Sequence, residues 1–416
     1  MIILAKKILP ITSPDIDDGA IVVTGSKITG IGKRKQILKK YPAEKVVDLE
    51  DGLVMPGLVN LHAHLELSFL KGAPGENRDF FGWIENLVRL KRKASGKQMA
   101  AAAADALREA IRTGTTCVAD VSSTEVSIPF LVKSGIRAHV FLEALGLDER
   151  AADKVFSGLV KRFEGLKGLP DRIKTGLSPH AAYSVSGKLL SKIAEYSSIN
   201  ALDIAMHLSE TQDEIKYFNG KGSGLDRYMK AFGWEGLKKI PGRTPVEAVS
   251  NFGFKKMVAV HCVHPSAADY SLLKKSGASV AWCPRSNHYL GAGGAPVKKY
   301  LDKGINVGLG TDSMASNLSL NMWDEMRFAW LVSGLTALDI LKAATINGAR
   351  ALGLESVTGS IEPGKEADLI GIQTKASSLK EPYRALIFDT RHQDISFTMV
   401  QGKAIYSKDG DTCYEF

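Results

Sequence analysis

The sequence predicts an α/β protein, namely a (β/α)8 or TIM barrel with a small β-sandwich domain built from both chain termini. Eight short apolar segments alternate with helix-like segments through the middle of the chain. Histidines and acids directly follow several of these segments, and active-site side chains of such barrels stand at the carboxyl ends of the strands. Both chain ends instead contain short strand-like pieces separated by turn residues.

The predicted barrel occupies residues 56–361. Its strands are short and often β-branched apolar runs, which are typical of strands buried in a parallel sheet. They cover residues 58–61, 116–120, 138–142, 173–177, 204–207, 257–261, 279–282 and 305–309. Helical periodicity or composition between them predicts helices at 97–112, 150–163, 188–196, 211–218, 267–275 and 296–302. Eight strand–helix units in about 300 residues fit a closed barrel.

Residues 1–55 and 362–416 are predicted to form the small domain together. Strand patterns occur at 2–5, 19–24, 28–31, 45–48, 367–372, 395–400 and 403–406. Neither end alone provides a second layer for its apolar sheet face, so the two are expected to pack as one β-sandwich. The 416 residues also exceed the roughly 250–300 at which a single core usually stops growing.

Composition favours a soluble cytoplasmic protein that acts on a small molecule. No apolar run approaches the roughly 18 residues of a membrane span, and the N-terminus lacks the pattern of a secretory signal. The net charge is +9, but the basic residues are dispersed, which favours a solvated surface over a nucleic-acid site. A homo-oligomer is compatible with the sequence. The cysteines form no Cys-x-x-Cys pair and are predicted to be reduced thiols: Cys117, Cys262, Cys283 and Cys413.

Two histidines, His62 and His64, end the first predicted strand with i, i+2 spacing. Alternate residues of a strand point to the same side, so both imidazoles can face one metal ion. The pair alone is a weak signal, but His207, His261 and Asp312 stand at the ends of the fifth, sixth and eighth strands. Three imidazoles and one carboxylate, from His62, His64, His207 and Asp312, are suitable donors for catalytic zinc or ferrous iron.

The remaining polar residues of this set suit a hydrolytic reaction. His261 and Asp312 are placed to hold and steer a water molecule whose pKa a divalent metal has lowered. Glu210 follows His207 by three residues and is placed to carry the proton of that water to a substrate. The alternative outside enzymes is a metal-binding protein without turnover. Such a site needs no proton shuttle, so Glu210 favours catalysis.

The chain resembles the amidohydrolase superfamily, in its branch of cytosine, guanine and adenosine-type deaminases and chlorohydrolases. The resemblance runs from Pro56-Gly57 through Gly310-Thr311-Asp312 to residues 359–369. It implies Glu210 as the proton shuttle, His261 as the residue that orients the hydroxide, and His180 as a substrate contact. The metal ligands that it implies are His62, His64, His207 and Asp312.

The reaction implied by this resemblance is hydrolytic deamination. Metal hydroxide attacks an aromatic carbon that bears an amino group, Glu210 protonates the adjacent ring nitrogen, and ammonia leaves. Binuclear relatives need a bridging carboxylated lysine or glutamate near the end of the fourth strand. This chain has Leu177-Ser178-Pro179-His180 there, so one divalent metal is expected, zinc with iron as the alternative.

Two loops after the first strand narrow the substrate. Residues 66–71 and 79–84 resemble aminodeoxyfutalosine deaminases, which act in menaquinone biosynthesis, more than guanine or s-triazine enzymes. Aminodeoxyfutalosine is therefore the favoured substrate, with a methylthioadenosine/adenosylhomocysteine deaminase and an s-triazine or guanine-type amidohydrolase as alternatives. A nucleoside pocket needs acceptors for sugar hydroxyls and apolar walls for the base. The substrate-binding candidates are Glu66, Glu85, Phe80, Trp83, His180 and Asn287. For Phe80 and Trp83, plain core packing of a helix is an equal interpretation.

Overall fold

A computed structural model describes residues 1–73, 75, 79–375, 379–408 and 410 of the chain. Its strands, numbered along the chain, are β1 (Ile2–Ile8), β2 (Ile16–Thr24), β3 (Lys27–Lys33), β4 (Val46–Asp48), β5 (Leu53–Pro56), β6 (Leu58–Ala63), β7 (Thr115–Ser122), β8 (Arg137–Ala144), β9 (Ile173–Pro179), β10 (Ala205–Leu208), β11 (Val258–His261), β12 (Ser279–Trp282), β13 (Asn306–Leu309), β14 (Leu369–Ile372), β15 (Ile395–Val400) and β16 (Lys403–Ser407).

The α-helices of the same residues fill the connections between barrel strands and flank the small domain. They are α1 (Arg34–Lys40), α2 (Phe80–Lys93), α3 (Gly96–Arg112), α4 (Ile128–Ser134), α5 (Ala152–Glu164), α6 (Gly187–Ile199), α7 (Gln212–Phe218), α8 (Gly224–Ala231), α9 (Pro245–Ser250), α10 (Ala267–Ser276), α11 (Pro284–Tyr289), α12 (Val297–Asp302), α13 (Met322–Ser333), α14 (Ala337–Ala343), α15 (Ile346–Ala351) and α16 (Pro382–Asp389).

The barrel consists of the eight parallel strands β6 to β13. Hydrogen bonds join them in two runs, β6-β7-β8-β9 and β10-β11-β12-β13. Parallel bridges between Leu177 and Ile204 connect β9 to β10, and a bridge between Ala63 and Asp312 connects β6 to the end of β13. All eight predicted strands are present, and no strand end lies more than two residues from its predicted position. The predicted fold class is confirmed.

Apolar side chains from several strands pack together inside the barrel. Val59, Cys117, Ala205, Val258 and Ala281 come from five different strands and share one buried cluster. A filled interior of this kind is typical of the fold and leaves the carboxyl ends of the strands as the place for a site.

The helices α2 and α3 begin where serine or aspartate caps them. Asp79 accepts a hydrogen bond from the backbone N–H of Gly82, and Ser95 accepts one from that of Gln98, which satisfies donors that the first helical turn leaves unpaired. Their positions matter because α2 crosses the mouth of the barrel, in contact with α8 and with the 3₁₀ segment Leu65–Leu70.

The small domain is one hydrogen-bonded sheet made from both ends of the chain. Its order is β16-β15-β14-β5-β1-β2-β3, with β4 paired to β1. Side chains from its two halves share an apolar cluster: Ile3 and Ile21 of the N-terminal strands lie in it with Leu369, Phe397 and Met399 of the C-terminal strands. This shared interior is what the predicted sandwich required.

The join between the two halves runs through β5, a strand that the sequence patterns did not predict. Its partner β14 pairs antiparallel, with Leu369 opposite Pro56. A buried ion pair fixes the sheet to the barrel, because Arg137 at the start of β8 donates to Asp368 Oδ2 at 2.9 Å and to Glu366 Oε2 at 2.5 Å. The predicted boundaries at 55/56 and 361/362 stay predictions.

Two composition-based expectations concern cysteines and membranes. Cys117, Cys262 and Cys283 are buried free thiols, and Cys413 lies outside the described residues. Among the helices of the described residues, none has the length and apolar character needed to cross a membrane.

Candidate metal and catalytic site

Five predicted side chains converge at the carboxyl end of the barrel. His62 and His64 come from the end of β6, His207 from β10, His261 from β11 and Asp312 from the turn after β13. The ring centre of His62 lies 4.9 Å from that of His64 and 5.0 Å from that of His207. The ring of His261 stacks 5.4 Å from His207. The structure therefore brings together residues that are 250 positions apart, from His62 to Asp312.

The two carboxylate oxygens of Asp312 have different partners. Oδ2 accepts hydrogen bonds from the hydroxyls of Ser286 at 2.6 Å and Ser316 at 2.7 Å. Oδ1 faces the histidines, 3.5 Å from His62 Nε2 and 3.7 Å from His64 Nε2. Holding one oxygen fixes the direction in which the other presents its lone pairs.

The geometry of the histidines fits a divalent cation. One ligand nitrogen from each of His62, His64 and His207 lies within 4.8 Å of the others. The buried Nε2 of His62 has no hydrogen-bond partner among the described residues, and a buried unpaired nitrogen is costly unless something satisfies it. The Nδ1 of His207 lies 2.9 Å from the carbonyl oxygen of His180, which turns its Nε2 toward the other rings. This donor arrangement is typical of metal-ligating imidazoles.

Burial keeps these imidazoles neutral. Desolvation of the charged ring is the largest cause that lowers the pKa of His62, His207 and His261, and it lowers the pKa of His64 to about 4. A neutral imidazole has a free lone pair, which is the form that binds a metal.

Strained backbone accompanies the same residues. Ser209, His261, Cys262 and Asp312 have positive φ angles of 50°, 67°, 46° and 61°, in the left-handed region that non-glycine residues rarely occupy. Such conformations cost about 1–3 kcal/mol each and persist only where the surrounding structure imposes them. Ser209, His261 and Cys262 end or directly follow β10 or β11, and Asp312 lies three residues after β13, so the chain turns sharply where these strands deliver their functional side chains.

Glu210 is a buried carboxyl group beside His261. Its Oε1 lies 3.5 Å from His261 Nε2, and Glu214 Oε2 accepts a hydrogen bond from the backbone N–H of Glu210 at 2.8 Å. Burial raises the pKa of Glu210 well above its usual range, and the negative charges of Asp312 and Glu214 act in the same direction. A carboxyl group in such surroundings is suited to take up and release a proton during a reaction.

A cavity of about 270 Å³ opens onto this cluster. Its inner end is formed by the site residues and its outer wall by side chains of α2, α8 and neighbouring loops. The lining residues are His64, Leu67, Phe80, Trp83, Ile84, Leu87, Val88, Lys91, Ser123, Glu143, Leu145, His180, Tyr183, His207, Glu210, Tyr228, His261, Leu290, Asp312 and Ser313.

Three of the predicted substrate-binding residues line this cavity. Phe80 and Trp83 project from α2 into its outer wall. His180 follows β9, and its Nδ1 lies 2.7 Å from the hydroxyl of Ser184, so Nε2 is left for a ligand. Trp83 is also a buried member of an apolar cluster against which Phe80 packs, so the core-packing interpretation of both residues is supported, while substrate contact stays a prediction.

Three other candidates lie elsewhere. Glu66 is buried behind the wall, where it binds Lys91 Nζ at 2.6 Å. Asn287 lies behind His261, with Oδ1 2.9 Å from the histidine Nδ1, and therefore contacts the site only through that ring. Glu85 does not line the cavity, because it is two positions beyond Trp83 and thus on another face of α2. Its Oε1 lies 3.7 Å from Arg227 Nε, and its role in substrate binding stays a prediction.

Sequence reasoning missed two charged wall residues, Lys91 and Glu143. Lys91 belongs to a basic run that predicts a solvated helix, yet it is one of the α2 residues in the cavity wall with Trp83 and Leu87. Its spacing of eight from Trp83 and four from Leu87 is a helical signal that could have found it. Glu143 lies one residue beyond the predicted third strand and belongs to no recognisable motif, so the sequence offers no signal for it.

A model of the amidohydrolase family matches residues 53–405. The chain belongs to the amidohydrolase family. This amidohydrolase is 31% identical to a 5-methylthioadenosine/S-adenosylhomocysteine deaminase of Moorella thermoacetica, in an alignment that covers 96% of this chain and 92% of the relative. It is 32% identical to a 5'-deoxyadenosine deaminase of Methanosarcina barkeri, with 94% and 88% covered.

A solved structure supports the fold over the same length. The crystal structure of Helicobacter pylori aminofutalosine deaminase in complex with methylthio-coformycin superposes with a TM-score of 0.88 and 24% identity, covering 97% of this chain and 99% of that one. The predicted family, the barrel with its small β domain, and a hydrolase acting on carbon–nitrogen bonds are thereby confirmed for this amidohydrolase.

Proposed function

We propose that this amidohydrolase is a hydrolytic deaminase of a 6-aminopurine nucleoside and releases ammonia. The observation that carries the proposal is the buried carboxyl group of Glu210 beside the three histidines and Asp312, in a cavity with aromatic side chains in its wall. The names of the relatives support the same reaction, because two proteins with 31% and 32% identity over nearly the whole chain are deaminases of adenosine-type nucleosides.

The proposed cofactor is one divalent cation held by His62, His64, His207 and Asp312. Three nitrogens and one oxygen suit zinc, with iron as the alternative. When bound, the cation supplies Lewis-acid activation of a water molecule.

The protein groups have separate proposed tasks. His261 orients the attacking water, and its own orientation is fixed by Asn287 through a 2.9 Å contact. Asp312 Oδ1 is presented toward the same point by the two serine hydroxyls on Oδ2. Glu210 takes the proton of the water and passes it to the ring nitrogen next to the amino-bearing carbon. His180 contacts the purine through Nε2.

Two proposals for the particular nucleoside remain, and each has a supporting observation. Aminodeoxyfutalosine, a menaquinone precursor, is supported by the loops at 66–71 and 79–84 and by the fold of the aminofutalosine deaminase. A nucleoside with a small neutral 5' group, such as methylthioadenosine or 5'-deoxyadenosine, is supported by the higher identity to deaminases of those compounds. The apolar outer wall of Phe80, Ile84 and Leu87 suits either.

Ammonia release from purified protein tests both the proposed deamination and the identity of the nucleoside. The panel contains aminodeoxyfutalosine, methylthioadenosine, adenosylhomocysteine, 5'-deoxyadenosine, free adenine, guanine and a chloro-triazine. We expect kcat/KM to be highest for one of the nucleosides and low for free adenine, since a site that binds a substrate group with hydrogen bonds rejects analogues without it by about 10⁴ or more. A higher kcat/KM for guanine or the triazine than for every nucleoside contradicts the proposal.

A further inference from the structure

Two opposite charges in the cavity wall are not used by the reaction described above. Lys91 projects from α2, Glu143 is the penultimate residue of β8, and both line the cavity. Burial raises the pKa of the Glu143 carboxyl group, and the positive charge of Lys91 opposes that rise. Both residues share the cavity lining with His64, His180 and His207, so a nucleoside bound in this cavity can contact them.

The ammonium of Lys91 is held rigidly with one donor to spare. Its Nζ donates to Glu66 Oε1 at 2.6 Å and to the Ser123 hydroxyl at 2.6 Å. Glu66 is itself fixed by the hydroxyls of Ser122 and Thr124. Burial opposes its ionisation, but the charge and hydrogen bond of Lys91, with hydrogen bonds from Ser123 and Thr124, lower the pKa of Glu66 to about 2. An ammonium has three N–H bonds, so the third remains for a ligand in the cavity.

The carboxyl group of Glu143 lacks a hydrogen bond within the described part of the chain. Its backbone oxygen accepts one from Arg162 Nη1 at 2.7 Å, which fixes the main chain but leaves the side chain to the cavity. Tyr183 and Tyr228 flank it in the lining. A carboxylate with four lone-pair positions in such a wall calls for donors from a ligand.

We propose that Glu143 and Lys91 bind the vicinal 2' and 3' hydroxyls of the substrate ribose. The diol donates its two O–H groups to the carboxylate oxygens of Glu143, and Lys91 donates its third N–H to one of the hydroxyl oxygens. A neutral diol matches this pair because it supplies donors and an acceptor together, whereas an anionic group meets the negative charge of Glu143. This inference rests on the proposed nucleoside substrate and names the groups that select ribose.

The test compares 5'-deoxyadenosine with 2',5'-dideoxyadenosine and 3',5'-dideoxyadenosine as substrates of the wild-type protein. We expect kcat/KM to fall by about 10- to 100-fold for each missing hydroxyl, the usual result of losing a hydrogen bond to a charged group. Equal kcat/KM values for the three compounds overturn the inference and leave the deaminase proposal intact. Turnover of guanine or a chloro-triazine with none of the three nucleosides overturns both.

Glu143→Gln and Glu143→Leu assign the selectivity to this side chain. We expect both variants to lose 10- to 100-fold on 5'-deoxyadenosine but little on the dideoxy compounds, so the preference for the diol collapses. The exposed Glu195 on α6 provides the matched control, since Glu195→Gln should leave all three values unchanged. If the Glu143 variants keep the wild-type preference, with metal content and melting temperature unchanged, the diol is bound elsewhere and the inference is wrong.

Discussion

The inner end of the cavity is held by hydrogen bonds between polar groups, whereas the outer end is formed mostly by packed apolar side chains. At the inner end, hydrogen bonds hold the far side of three functional groups: Ser286 holds Asp312, the His180 carbonyl holds His207, and Asn287 holds His261. At the outer end, the wall consists mostly of apolar side chains from one face of α2, including Trp83, Ile84 and Leu87. The residues proposed for the chemistry thus lie at strand ends, while the proposed substrate contacts come mainly from one face of α2, with Glu143 of β8 beside them.

The backbone differs between the two ends as well. Left-handed φ angles at Ser209, His261 and Asp312 accompany the inner residues. The helix α2 is regular from Phe80 to Lys93 and begins with an ordinary aspartate cap. A strained backbone tolerates few substitutions, so variants of the inner end should cause larger losses than variants of the outer wall.

The largest expected effect is loss of the cation. His207→Ala removes one of three convergent nitrogens, and we expect the purified variant to retain less than one equivalent of zinc or iron and to show background activity. Elemental analysis with an ammonia assay measures both. Wild-type protein should retain one equivalent after dialysis. Two equivalents, with activity that follows the second, contradict the single-metal proposal.

Removal of the proton carrier comes next. Glu210→Gln is expected to keep the metal but lose at least about 10²-fold in kcat, because general acid–base groups typically contribute 10²–10⁴. The conservative change leaves the 2.8 Å bond from its backbone N–H to Glu214 in place. A variant with near-normal kcat would show that another group carries the proton.

Loss of a supporting hydroxyl should have a smaller effect. Ser286→Ala leaves Asp312 with Ser316 as its other hydroxyl partner at 2.7 Å, and we expect metal affinity or kcat to fall by about 10- to 100-fold. Titration of the apoprotein with zinc, beside steady-state kinetics, measures the two parts. Unchanged values for both would show that Ser316 alone orients the carboxylate.

A change in the outer wall should affect binding more than chemistry. Trp83→Ala is expected to raise KM for a nucleoside about 3- to 10-fold with kcat nearly unchanged, the usual effect of losing one aromatic contact. An increase in KM that depends on the 5' substituent would show that the outer wall contributes to substrate selection. A 100-fold loss of kcat would instead show that the outer wall positions the reacting atoms.

The buried pair of Glu66 and Lys91 should make the stability of the fold depend on pH. The folded-state pKa of Glu66 is about 2, below the ordinary 4.5, so its charged form stabilises the fold above pH 4.5 and this contribution disappears as pH falls toward 2. Glu66→Gln should therefore lower the free energy of unfolding by about 1–3 kcal/mol at pH 7 and by progressively less in acid. Urea unfolding at several pH values measures this, and a pH-independent difference contradicts it.

Sequence reasoning succeeded where local spacing determines geometry. The i, i+2 pair His62 and His64 can face one point because strands alternate, and His207 and Asp312 were found because parallel strands end at one rim. Each of these conclusions needs the position of a residue within a strand and nothing about its distant neighbours.

The outer wall was harder to predict because it depends on tertiary contacts. Lys91 lies in a basic run, and only its contacts with Glu66 and Ser123 distinguish it from solvated lysines. The carboxylate of Glu85 could accept hydrogen bonds from sugar hydroxyls, but its position on α2 places it beside Arg227. Strand β5 was missed since its four residues pair with β14 from the far end of the chain.

That pairing has a consequence for synthesis on the ribosome. Pro56 emerges roughly 300 residues before its partner Leu369, which at about 5–20 residues per second is a delay of some 15 to 60 s. During this interval the nascent chain exposes the unsatisfied edge of β5 and the apolar side chains of Ile3 and Ile21. The newly made protein is therefore most exposed to aggregation and to chaperone capture at its N-terminal strands, until the last segment is translated.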